Sequence, residues 1–140
     1  MAFFPSVDSV FQINDGTSLR DITPYIISID MDAVRELIEV TALGDGGRKW
    51  IAGLEDTKIS LELHWSDDAS VGSETVMRLI RDDTVARAFD YGPEGKATGD
   101  NKYSGTCWVR NYRQTSRVGN EVTSSVEIQV EGILTVGTYA

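Results

Sequence analysis

Hydrophobic and polar residues alternate with a period of two along most of this chain. The clearest run is residues 58–65, where Ile59, Leu61, Leu63 and Trp65 fall on one face and Ser60, Glu62 and His64 on the other. That is the pattern of a strand with one side against a core. Residues 121–132 repeat it, with Val126, Ile128 and Val130 set against Glu127, Gln129 and Glu131. Residues 25–32 do the same, with Ile27, Ile29 and Met31 against Ser28, Asp30 and Asp32. Shorter or mixed runs at 9–14, 34–41, 85–91 and 102–114 bring the expected total to about seven strands. The run 34–41 also holds helix formers, but Leu37-Ile38-Glu39-Val40-Thr41 is β-rich and too short for a lone helix, so it reads as strand. Only one segment has helical spacing. Val71, Val76, Leu79 and Ile80 predict an amphipathic helix over 73–82, with Ser70 or Ser73 as its N-cap. The apolar tail 133–140 extends the last strand.

Turn signals separate these elements: Asp15-Gly16, Pro24, Gly92-Pro93-Glu94-Gly95 and Gly119-Asn120. Evenly spaced strands between such turns predict a mainly β fold, an antiparallel β-sandwich or barrel with one flanking α-helix. The least regular stretch is 44–53, Gly44-Asp45-Gly46-Gly47-Arg48-Lys49-Trp50-Ile51-Ala52-Gly53, which reads as the centre of a long loop over about 43–56. A plain solvent loop rarely presents Trp50 and Ile51, so this one is expected to meet a partner. An N-terminal arm over about 1–8, carrying Phe3 and Phe4, is apolar and interrupted by Pro5. No linker or repeat divides the chain, and 140 residues make one domain.

Composition narrows the function. Twenty-two acidic residues against thirteen basic ones give a formal charge of −9. That balance opposes tight non-specific binding to nucleic acid or to an anionic membrane surface. Cys107 is the lone cysteine, so no internal disulfide or cysteine-rich zinc site can form. No apolar run approaches the roughly 20 residues of a membrane span, and the N-terminus lacks a signal-peptide pattern. The expectation is a protein kept in the cytosol until it assembles.

A search for chemistry finds no catalytic, cofactor-binding or metal site. His64 with Glu62 is at most half of a metal set, and there is no second histidine. Asp67-Asp68 and Asp82-Asp83 flank the predicted helix without calcium-loop spacing. The glycine-rich stretch at 44–49 lacks the Gly-Lys-Ser/Thr of a phosphate-binding loop. Arg110, Arg113 and Arg117 near Trp108 and Tyr112 suggest a single-stranded nucleic-acid surface, but partner carboxylates suit the surplus of acids better. The chain therefore works by contact and not by catalysis.

The order of several segments resembles the tail tube proteins (major tail proteins) of long-tailed bacteriophages and related gene transfer agents. The carriers are Glu39-Val40-Thr41-Ala42-Leu43-Gly44-Asp45, Trp50-Ile51-Ala52-Gly53-Leu54-Glu55-Asp56, the strand at 58–65, the helix, Tyr103-Ser104-Gly105 and Val130-Glu131-Gly132. The resemblance implies a virion protein, not an enzyme, with no cofactor. It implies rings of six copies stacked into a hollow tube, built in the host cytoplasm and ending in the virion tail. Its partners would be further copies of itself, a tape measure protein, a tail terminator and baseplate or tail-tip proteins, with DNA passing through unbound and no membrane contact. Gly44, Asp45, Gly46, Gly47, Arg48, Lys49, Trp50, Ile51, Phe3 and Phe4 would make the contacts between subunits and rings. Carboxylates lining the lumen would repel phosphates, with Glu62, Glu127 and Glu131 as candidates. A head–tail connector, a tail terminator or a capsid-decorating protein is the alternative.

Overall fold

The computed structural model describes residues 3, 5–69 and 71–140. In chain order the elements are β1 (Val10–Asn14), β2 (Leu19–Asp21), β3 (Ile26–Glu39), β4 (Trp50–His64), α1 (Ser73–Arg81), β5 (Arg87–Gly92), β6 (Asn101–Thr115) and β7 (Thr123–Thr138). All seven strands belong to one antiparallel sheet in the order β2-β1-β5-β6-β7-β4-β3. The mainly β architecture with one helix agrees with the pattern of the sequence. The membership of the seven differs, however. Residues 25–32 and 34–41 form a single strand, β3, because nothing at Asp32-Ala33 breaks an extended chain. The additional strand is β2, whose three residues are too few to show a period.

The two ends of the sheet, β2 and β3, are joined by residues 22–25 alone. Five chain links span at most about 18 Å. A flat seven-stranded sheet would hold those strands roughly 29 Å apart. The sheet must therefore curl until its edges approach, which makes it barrel-like without closing. Thr23 fastens the join: its Oγ1 accepts from the Phe11 N–H at 3.0 Å, and the Ile22 N–H donates to the Phe11 carbonyl at 3.2 Å.

Curling places one face of the sheet inside. Register lines up the core in rows across four strands. Ile29, Leu61, Val126 and Tyr112 form one row, and Met31, Ile59, Ile128 and Val109 the next. Phe11 and Ile13 of β1, Phe89 of β5 and Cys107 of β6 join the same buried cluster. Helix α1 packs against β6 and adds Val76, Met77 and Ile80 to that core. Its cap differs from expectation: Gly72 holds the N-cap position without a side-chain bond. Ser73 instead donates its hydroxyl to the His64 carbonyl at 2.6 Å and accepts from the Ser66 N–H at 3.1 Å, tying the helix to the end of β4. Ser70 lies outside the described residues. Burial raises the Cys107 thiol to about pKa 12, so it is an inert core residue.

Candidate functional site

Two surfaces remain after the core is accounted for. The first is the outer face of β3, β4, β7 and β6, where register builds polar rows. Ser28, Glu62, Ser125 and Arg113 make one row, and Asp30, Ser60, Glu127 and Asn111 the next. Asp32, Lys58, Gln129 and Trp108 make a third. Residues of the first two rows line an open trough of about 370 Å³ on this face. Asp30, Asp32, Glu62 and Glu127 outnumber Lys58 and Arg113 here, and Arg110 lies 3.6 Å from Glu127. Two of the sequence-predicted acids, Glu62 and Glu127, therefore sit in adjacent rows of one polar face. Glu131 lies further along β7, opposite Thr106 of β6, beyond the reach of β4.

This four-stranded patch has two margins that lack a strand partner along part of their length, and helix α1 packs beside β6, where the Gln114 amide donates to Glu74 at 3.4 Å. Among the described residues no strand pairs with the outer edge of β3. On the far side β5 reaches only residues 103–107 of β6, so residues 108–115 have a strand partner only in β7. A free edge offers a row of unpaired backbone donors and acceptors to another chain. Strand directions alternate across the patch, so β3 and β6 run antiparallel to each other.

The second surface is the outer half of the β3–β4 hairpin. β4 leaves β7 at the Lys58–Gln129 pair, and its residues 50–57 continue as a ribbon with β3 alone. Eight residues of strand carry this ribbon about 25 Å past the sheet. The divergence is helped by Gly132, whose φ of +73° bends β7 away at a bulge. The predicted loop over 43–56 is thus corrected: Trp50 and Ile51 are strand residues, facing Glu39 and Ile38. Gly53 gave the segment a loop-like composition, yet it sits at a bulge in β4. A Cβ there would lie 3.1 Å from that of Glu36, so glycine permits the close pairing.

The true turn is 40–49, and it is stitched together. Asp45 accepts the Ala42 N–H at 2.7 Å and holds the Lys49 ammonium at 3.1 Å, and both interactions keep its carboxyl below the usual range. The Lys49 N–H donates to Thr41 Oγ1 at 2.9 Å, while Arg48 lies 3.9 Å from Glu39. With its cations engaged by its own acids, the turn presents little net charge, and its glycines cradle nothing. What it presents is apolar. Leu43 at the tip is fully exposed and Leu54 is 80% exposed, and Val34, Leu37, Ile38, Val40, Trp50 and Ile51 are each at least 44% exposed. Residues at both parities are apolar, so both faces of the ribbon are oily. Sequence reasoning found Trp50 and Ile51 but missed Leu37, Ile38, Leu43 and Leu54; the loss of alternation over 34–41 was the available signal.

Other candidates are dispersed. Phe3 is exposed, and Phe4 lies outside the described residues. His64 Nδ1 lies 2.7 Å from Glu121 Oε1, with no metal-holding cluster among the described residues. Tyr112 belongs to a core row while Trp108 and Arg113 share the polar face, so the aromatic and basic residues of β6 do not form one stacking surface.

No protein-family model matches the sequence, and no curated protein matches it. Solved structures do match in fold. A chain in the tail of an empty gene transfer agent particle, refined with C6 symmetry, is similar with a TM-score of 0.82 and 15% identity, over 97% of this chain and 100% of that one. A chain of the virion of a native gene transfer agent particle has a TM-score of 0.79 at 15% identity, over 97% and 100%. The SPP1 tail tube has a TM-score of 0.78 at 10% identity, over 97% of this chain and 80% of that one. The chain has the fold of these tail tube proteins along nearly its whole length.

Proposed function

We propose that this chain is a structural tail tube subunit of a virion or gene transfer agent, a self-assembling part and not an enzyme. The observation that carries the reading is the four-stranded polar patch whose antiparallel margins on β3 and β6 lack strand partners. Joining the β6 edge of one copy to the β3 edge of the next extends the sheet in a single plane. That contact is head-to-tail, and it closes into a ring when the curvature suits. Six copies are proposed, a number supported by the C6 symmetry of the similar gene transfer agent tail. The polar face would then line the channel, with Glu62 and Glu127 in the wall and Glu131 toward one rim. A modest surplus of carboxylates, repeated round the ring, would keep DNA phosphates from adhering as they pass.

The ribbon would join one ring to the next. A lone two-stranded ribbon is marginal in water, and apolar side chains on both of its faces favour burial against other copies. Gly44, Asp45, Gly46, Gly47, Arg48 and Lys49 form its tip, and Trp50 and Ile51 its flank; Phe3 would add a contact from the N-terminal arm. A tape measure protein inside the tube, a terminator above and tip proteins below would be its partners. It would occupy the host cytoplasm during assembly and the virion tail afterwards.

Sedimentation velocity over a wide concentration range tests the reading. The expected result is a sedimentation coefficient that climbs from monomer to ring to larger species. A single monomeric species at every concentration would sink it.

A further inference from the structure

The two margins of the polar face carry opposite charges that find no partner among the described residues. On the β6 margin stands Arg113, exposed and within 4.0 Å of no carboxylate among the described residues. Arg20, Arg35, Arg48, Arg78, Arg81, Arg87 and Arg110 each have an acidic neighbour at that distance. Arg117, in the loop after β6, is the other exception; in a chain with nine more acids than bases, an arginine left alone on a strand calls for a physical reason. Glu62 shares its row, but Ser125 stands between them, and two strand spacings separate their backbones by roughly 9.6 Å. On the β3 margin stand Asp30 and Asp32, both exposed and without a cation at that distance among the described residues.

We infer that Arg113 of one copy pairs with Asp30 of the next across the β6–β3 joint, and that this pair sets the register of the ring. The inference rests on the ring reading given above and goes further by naming the contact. If the rows run straight across the joint, Arg113 meets Ser28 of the next copy and reaches Asp30 on the diagonal. A two-residue stagger, which tilted strands in a closed ring require, puts Asp30 directly opposite. Long side chains interact in both geometries. A one-residue shift would set the two pleats out of phase, because the faces of β6 and β3 are already fixed by their pairing with β7 and β4. The pair therefore favours registers that keep the polar face whole. It also removes Asp30 from the unpaired acids of the channel wall, leaving Asp32 and Glu62, since Glu127 already lies beside Arg110.

A charge swap tests this, read by the concentration at which the protein begins to assemble. Arg113→Asp is expected to raise that concentration at least about tenfold, since every joint in a ring carries the repulsion. Adding Asp30→Arg to it should return the threshold to near the wild-type value. Arg117→Asp, which changes another unpaired arginine off the strand, should leave it unchanged. Thermal unfolding of each variant monitors folding, and the exposed positions should leave it intact. If Arg113→Asp assembles like wild type, or Asp32→Arg rescues it where Asp30→Arg does not, the pairing is wrong while the tube reading stands. If wild-type protein never assembles, the tube reading fails and the pairing falls with it.

Discussion

Asp15 shows how single residues hold the turns of this sheet in place. Its carboxylate accepts the Thr17 N–H at 2.9 Å and the Ser18 N–H at 3.0 Å, and pairs with Arg20 at 2.9 Å. Burial pushes its pKa up, but those hydrogen bonds and the guanidinium outweigh it, and the net direction is down from 3.8. Asp21 behaves alike: burial raises it, while Thr23 and Lys96 lower it further. A carboxyl whose folded pKa is depressed stabilises the fold fully above its unfolded value. That stabilisation is lost as pH falls through the lower folded value. Melting temperature should therefore decline below about pH 4, and Asp15→Asn should lose roughly 1–2 kcal/mol near neutrality together with part of that acid sensitivity. An Asp15→Asn protein with the wild-type pH profile would show that the turn does not depend on the charge.

At the scale of elements, the sheet and the ribbon obey different rules. β4 alternates strictly only where β7 covers it; its residues 58–64 were legible as a strand for that reason. Residues 50–57 lack a sheet partner on one side, so no period marks them, and Gly53 disguises them further. β3 read as two strands because its inner half alternates and its outer half does not. Helix α1 was legible from Val76 and Ile80, which face the core, whereas its cap was not, since Ser73 is used by β4. If the ribbon exists for contact, its side chains should be dispensable for folding. Leu43→Asp with Leu54→Asp should change stability by no more than about 0.5 kcal/mol, because both residues are solvent-exposed. The same variant should fail to form long assemblies while still forming rings. Long assemblies at the wild-type concentration would remove the ribbon from the stacking contact.

For the whole molecule, the legible part was the class of fold. The site was only partly legible. Glu62 and Glu127 could be named as solvent-facing acids from their own strands, but their adjacency depends on register between β4 and β7, which are separated by two strands and a helix in the chain. The same holds for Asp30 and Arg113, whose relation appears only when the free margins are seen. Acidity, first an argument against nucleic-acid partners, becomes on this face a moderate surplus, which in the proposed tube would keep DNA from adhering to the wall. The central claim is that copies of this chain close a channel lined by that face. Electron microscopy of the concentrated protein tests it most directly. The account predicts hollow tubes of uniform diameter whose cross-sections show a ring of six subunits, with the β3–β4–β7–β6 face toward the lumen. Solid filaments, or tubes with that face on the outside, would contradict it.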